Sequence, residues 1–154
     1  MKNKGRIARK IVMDLFEMKR KLSKASIEEK EWEREPNLVE GWDKDTGLPY
    51  KIVRHALGHL CGYVGVDENH PYYRKDYNEL YEDDVSLDVH GGVTFTDHFP
   101  HNDFWWIGFD SAHYGDLCPS NLKFGFAFEH DTYKNVNFIL KEIVKLSAQL
   151  ENVQ

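Results

Sequence analysis

Histidine and aspartate side chains between residues 70 and 116 are the groups in this 154-residue chain best suited to chemistry. Neutral imidazoles, each tuned by a carboxylate, can donate and accept protons near pH 7, and cleavage of a phosphodiester needs both transfers. In this hypothesis His90 and His113 are the acid–base or phosphate-contacting groups, and the carboxylates orient them. The predicted catalytic residues are His70, His90, Asp110, His113 and Asp116.

The same side chains leave two alternatives open. His90, Asp110 and His113 offer the nitrogen and oxygen ligands that zinc, manganese or iron accept, so a metal-dependent hydrolase is one alternative. Their spacing matches no metal motif, and the cofactor therefore stays undetermined. The other alternative is binding without turnover, because aromatic rings can stack on a nucleobase. The predicted ligand-binding residues are Tyr63, Tyr72, Thr94 and Trp106.

Several predicted strands must position these side chains. The segments 50–55 and 57–66 are predicted to form a hairpin, with further strands over 85–96, 104–110 and 123–128. Side chains alternate between the faces of a strand, so one face carries aliphatic residues and the other imidazole, hydroxyl, carboxylate or large aromatic groups. We expect His70 to lie in a long polar loop, residues 67–84, and His113 and Asp116 to lie in a turn after a strand that ends at Asp110.

Helices are predicted at both ends of the chain. Apolar residues from Ile7 to Leu22 recur at helical spacing, and a short second helix is predicted from Ile27 to about Glu35, before Pro36. A C-terminal helix capped by Asp131 or Thr132 follows the strands. Helices, then strands, then a helix indicate an α+β fold with a mostly antiparallel sheet of four to five strands.

The net charge of −6 is distributed unevenly along the chain. Residues 1–24 carry +7, which leaves −13 for residues 25–154. We therefore divide the chain into a basic helical segment, residues 1–35, and an α+β domain, residues 36–154. An acidic body argues against specific binding of duplex DNA. The basic helix suggests a further alternative, an inhibitor or adaptor that binds a protein partner.

The sequence also bears on the compartment. No run of about 18 apolar residues is present, so no membrane-spanning helix is expected. Cys61 and Cys118 are too few for a disulfide framework, and nothing around either marks an activated thiolate. We read both as ordinary thiols in a reducing, cytoplasmic setting. The oligomeric state stays open.

Four segments together resemble a family of small proteins of tailed phages and prophages. They are Gly58-His-Leu-Cys-Gly-Tyr-Val-Gly-Val66, His70-Pro71, Asp88-Val-His-Gly-Gly92 and Trp105-Trp-Ile-Gly-Phe-Asp-Ser-Ala-His-Tyr-Gly-Asp116. The resemblance covers roughly residues 40–150, and it implies a setting in the cytoplasm of a host cell without implying a reaction. By analogy, such accessory proteins often counter host defence, and several defence systems signal with small nucleotides. Our leading hypothesis is a phage accessory protein that recognises a nucleotide or another small phosphorylated ligand, with cleavage left open.

Overall fold

The predicted hairpin forms the centre of an antiparallel sheet in the computed structural model, which describes residues 30–153. Within those residues the strands are β1 (Leu38–Trp42), β2 (Pro49–Arg54), β3 (Leu60–Val66), β4 (Phe95–His98) and β5 (Trp105–Asp110). They lie in the order β1-β2-β3-β5-β4, and every neighbouring pair is antiparallel. The central strand β3 is buried at nearly every position.

Helices accompany the sheet, and the fold is α+β as predicted. In the described part of the chain they are α1 (Glu31–Arg34), α2 (Tyr77–Glu82), α3 (Pro119–Phe124) and α4 (Val136–Glu151). None of these helices is long and apolar enough to cross a lipid bilayer.

The chain divides into two compact units, Met1–Arg34 and Glu35–Gln154. Helix α1 is the described part of the first unit, and it ends before Pro36 as expected. The predicted basic helix over residues 7–22, the adaptor surface on residues 1–24 and the predicted helix start at Ile27 lie outside the described residues. The sheet and helices α2 to α4 belong to the second unit.

Helix α4 and one face of the sheet form the core. Gly62 in β3 lets the two layers approach, since a Cβ at this position would lie 2.6 Å from Phe109 Cζ and 3.0 Å from Ile139 Cγ2. Aliphatic and aromatic burial of this kind is the main favourable contribution to folding. The residues that form this core include Ile52, Leu60, Val64, Val66, Trp105, Ile107, Phe109, Ile139, Ile143, Leu146 and Leu150.

Two predicted strands are wrong, and backbone geometry explains both. Residues 85–94 form an irregular segment, and only Phe95 and Thr96 of the predicted third strand belong to β4. Gly91 and Gly92 have φ angles of +68° and +82°, which a β-strand does not accommodate. The predicted strand 123–128 overlaps α3, which starts at a proline, ends at Phe124 and is capped by Gly125 in the left-handed conformation.

Other boundaries also differ from those predicted. Strand β1 was not predicted, because Glu40 and Gly41 interrupt its short apolar pattern. The cap of α4 is Asn135 rather than Asp131 or Thr132, and its side chain accepts a hydrogen bond from the Phe138 amide at 2.9 Å. The predicted loop 67–84 contains α2, which begins with a capping box.

Candidate active site

The candidate site lies at one end of the sheet, where three neighbouring strands begin or end. His59 immediately precedes β3, Asp110 is the last residue of β5, and Thr94 immediately precedes β4. Antiparallel pairing places Cys61 opposite Asp110, and β4 begins beside the same end of β5. Side chains from distant parts of the chain therefore meet at this end of the sheet.

His90 and Asp116 form the first imidazole–carboxylate pair. His90 Nε2 lies 2.8 Å from Asp116 Oδ2, and Lys134 Nζ lies 3.2 Å from Asp116 Oδ1. Asp116 is buried, which by itself would raise its pKa, but hydrogen bonds from His90, the His113 amide and Lys134 outweigh burial and lower the pKa. Asp116 is therefore ionised at neutral pH and fixes the orientation of the His90 ring.

His113 and Asp110 form the second pair. His113 Nε2 lies 3.1 Å from Asp110 Oδ1, yet this buried nitrogen makes no well-aligned hydrogen bond. The carboxylate itself is held in place, because it accepts hydrogen bonds from Thr94 Oγ1 at 3.0 Å and from the Ala112 amide at 3.0 Å. A buried polar atom with poor geometry in a cleft is the kind of unsatisfied group that marks functional sites.

A tight turn brings the two pairs together, and this turn was predicted. The Asp116 carboxylate accepts a hydrogen bond from the His113 amide at 3.0 Å, and Gly115 adopts a φ of +86°. The rings of His90 and His113 consequently lie 5.8 Å apart between centroids. Two imidazoles at this separation can contact the same small ligand.

Residues in the first half of α4 contact His90 and hold it in position. The His90 amide donates to Glu142 Oε2 at 2.8 Å, and the edge of its ring meets the Phe138 ring at 5.1 Å between centroids. Lys145 in turn pairs with Glu142 at 3.1 Å. The site residues are therefore held both by the ends of the strands and by helix α4.

A pocket of about 320 Å³ opens beside these pairs. His113 and Asp116 form part of its wall, together with Cys118. Aromatic side chains at its rim face solvent, since Tyr114 is 87% exposed and Phe128 is 61% exposed. The pocket thus joins titratable groups to exposed rings that could pack against a flat ligand. Its other lining residues are Leu57, Ala112, Gly115, Asn121, Phe126 and Asp131.

His70 and Tyr72 do not lie at this site. His70 Nε2 is 2.8 Å from Leu150 O, and its Nδ1 accepts from the Tyr72 amide at 3.0 Å. Leu150 lies about 18 Å along α4 from Phe138, the residue that contacts His90, at 1.5 Å per residue. We therefore correct the prediction for both residues: His70 holds the C-terminal end of α4, and Tyr72 packs beside it.

Tyr63 and Trp106 lie on the sheet face opposite α4, the face that also carries Asp110, and Tyr63 lies two residues along β3 from Cys61, which pairs with Asp110. Trp106 is only 1% exposed, so it cannot stack on a ligand. Tyr63 packs edge-on against Phe95 and Phe99. Of the four predicted ligand-binding residues, only Thr94 joins the site, and it does so through Asp110.

The three predicted metal ligands, His90, Asp110 and His113, do not converge on one point. His90 faces Asp116 and His113 faces Asp110, which makes two imidazole–carboxylate pairs. Among residues 30–153, no three His, Cys, Asp or Glu side chains converge in a way that could hold a metal ion.

Sequence reasoning missed several residues of the site. Lys134 and Glu142 were read only as parts of the C-terminal helix region. His59 was read as a strand residue, after its spacing from His55 was rejected as a zinc-protease motif. Cys118 Sγ lies 3.4 Å from His59 Nδ1, although the two residues are far apart in the chain. No local pattern could have indicated that contact.

Comparison of the chain with protein-family models, curated proteins and solved structures finds no significant match.

Proposed function

We propose that this protein binds a small phosphorylated ligand, of the nucleotide class, at the two imidazole–carboxylate pairs. The observation that carries the proposal is the 5.8 Å separation of the His90 and His113 rings, each beside its own carboxylate. One imidazole can remove a proton from an attacking hydroxyl or water while the other protonates the leaving oxygen. The pairs therefore support cleavage of a phosphate ester as well as recognition.

Lys134 and the two histidines are the groups at the site that can attract an anionic ligand to this acidic domain. Lys134 Nζ lies beside Asp116, and both histidines gain positive charge when they are protonated. The carboxylates hold these cationic groups in place rather than leaving them to solvent. These groups must attract the phosphate against two carboxylates, because Asp116 and Asp131 line the pocket and Lys134 lies outside its lining.

The rim of the pocket supports a ligand with a flat ring. The Phe128 ring stacks on His130 at 5.7 Å between centroids, and Tyr114 meets the same imidazole at 5.2 Å. Exposed aromatic groups beside acid–base groups suit a nucleobase attached to a phosphate. The resemblance to phage proteins adds a setting, in which a signalling nucleotide of the host cell is the expected ligand.

Thermal unfolding with a panel of cyclic and linear nucleotides tests the proposal. A ligand at 100 times its dissociation constant should stabilise the protein by about 2.7 kcal/mol. The H113Q variant should lose this stabilisation. The H101N variant should keep it, because His101 is exposed and its left-handed backbone (φ of +59°) tolerates asparagine.

Two results would contradict the proposal. No stabilisation by any nucleotide would remove ligand binding, and equal stabilisation of wild type and H113Q would place the ligand elsewhere. Chromatography of the incubated nucleotide then separates turnover from recognition, because only turnover yields a new product.

A further inference from the structure

Cys118 lies in the wall of the same pocket, and its thiol contacts the buried imidazole of His59 behind it. Cys118 Sγ is 3.4 Å from His59 Nδ1 and 3.2 Å from Leu57 O. Rotation about the Cβ–Sγ bond can therefore direct the thiol proton to the carbonyl or to the imidazole. A nucleophile within reach of a base is the first requirement of covalent catalysis.

The imidazole of His59 is held in place, and in its neutral form it can accept a proton. Its ring stacks on His55 with centroids 4.6 Å apart. Burial, followed by the nearby His55, lowers the pKa of His59, so the ring is neutral at pH 7. Nδ1 faces a thiol donor and is thus available as the acceptor.

The other cysteine contacts the Tyr63 hydroxyl rather than an imidazole. Cys61 lies within β3, and burial raises the pKa of its thiol to about 11. Cys118 lines the pocket, whereas Cys61 is absent from its lining. The chain therefore carries its own matched control for thiol reactivity.

We propose that Cys118 is a nucleophile for acyl substrates, with His59 as its base. Sγ attacks the carbonyl carbon while the thiol proton passes to His59 Nδ1. The tetrahedral intermediate collapses, the bond to the leaving group breaks, and that group takes the proton from His59. Water, deprotonated by His59, then cleaves the thioester, releasing the acid and returning the proton to Sγ.

Polar groups beside Cys118 can stabilise the oxyanion of that intermediate. Ser120 Oγ lies 3.5 Å from Cys118 Sγ, and Asn121 lines the pocket one residue further along α3. Hydroxyl and amide groups are established donors to such oxyanions. This inference stands apart from nucleotide binding, because it depends on Cys118 and His59 and is measured as a covalent adduct.

The test is reaction of the full chain with p-nitrophenyl acetate, followed by release of p-nitrophenolate and by intact-protein and peptide mass spectrometry. Because water then cleaves the thioester, the reaction is quenched with acid at early times, and we expect up to one acetyl group per chain on Cys118 and none on Cys61. The C118S variant should lose the adduct, whereas C61S and H101N should react like wild type. The H59N variant keeps an acceptor at the Nδ1 position but is no base, so its acylation should slow on the order of 100-fold.

Three outcomes would overturn the inference: no adduct on Cys118 together with p-nitrophenolate release that C118S does not lower, equal acetylation of Cys61, or an unchanged rate in H59N. Circular dichroism and melting temperature show whether each variant is folded. If C118S does not fold, the ratio of Cys118 to Cys61 alkylation by iodoacetamide in the wild type decides the question. Faster alkylation at Cys118 supports the pair, and equal rates contradict it.

Discussion

The position of His113 depends on a residue that has no side chain. A Cβ at Gly91 would lie 2.1 Å from His113 Nε2, a distance that real atoms do not adopt. The imidazole therefore lies directly against the backbone of the irregular segment 85–94, and this contact brings it near His90. A glycine in a segment expected to be a strand thus serves the site through close approach.

Substitution of Gly91 should displace His113 without unfolding the protein. G91A and G92A both place a Cβ on a left-handed backbone, which costs about 1–2 kcal/mol in each case. Only G91A collides with the imidazole, since nothing lies within 4 Å of a Cβ at Gly92. We expect G91A to lose the nucleotide-dependent rise in melting temperature and G92A to keep it; equal behaviour of the two variants would show that the contact does not position His113.

Asp116 should make stability depend on pH in the acidic range. Its pKa is lowered in the folded state, so the unfolded chain takes up the proton first as the pH falls. The stabilisation is present above the unfolded pKa of about 3.8 and is lost as the pH falls through the lower, folded value. Chemical unfolding between pH 6 and pH 2.5 should show a steeper loss for wild type than for D116N, and parallel curves would exclude this carboxylate as the source.

At the scale of elements, helix α4 both closes the core and supports the site. Its first half carries Phe138 and Glu142 against His90, and Lys134 directly precedes its cap. Its far end is held by His70 at Leu150 O. One helix therefore connects a structural histidine at one end with a site histidine at the other.

Removal of the N-terminal cap of α4 should lower the folding stability of the protein. N135A loses the hydrogen bond to the Phe138 amide and should cost about 1 kcal/mol of folding stability. N137A, at an exposed position in the same turn, should change stability by less than about 0.5 kcal/mol. Urea unfolding of both variants measures the difference, and similar losses would show that the cap contributes little.

At the scale of the whole molecule, the uneven charge coincides with the division into two units. The core, α4 and both imidazole–carboxylate pairs belong to Glu35–Gln154, whereas the basic residues 1–24 belong to the other unit. An anionic ligand at the site therefore depends on local groups such as Lys134 rather than on the net charge of this unit.

A fragment of residues 35–154 should fold and keep the nucleotide-dependent stabilisation, because it contains all the strands seen in residues 30–153 and every residue of the proposed site. Circular dichroism and thermal unfolding of the fragment beside the full chain check this. Loss of ligand stabilisation in a folded fragment would show that residues 1–34 contribute to binding. Loss of partner capture alone would instead favour the adaptor alternative.

Local periodicity was sufficient to predict much of the fold. Alternating residues indicated β2, β3 and β5, and apolar residues at helical spacing indicated α4, because both patterns are set by the geometry of single elements. The same reasoning singled out His90, Asp110, His113 and Asp116, and the structure brings these four together. The same reasoning wrongly predicted a strand over residues 85–94. Their composition is typical of a strand, but the left-handed backbone at two glycines prevents strand geometry.

Which of these side chains contact each other was decided only by the tertiary structure. His90 meets Asp116, and Cys118 meets His59, because β3, β5 and β4 lie side by side in antiparallel register and the following turn folds back over their ends. His70 has the same side chain as His90 but packs at the opposite end of α4. The sequence by itself determined which groups could take part in chemistry. Strand order and register, which depend on contacts between residues far apart in the chain, decided which of them meet.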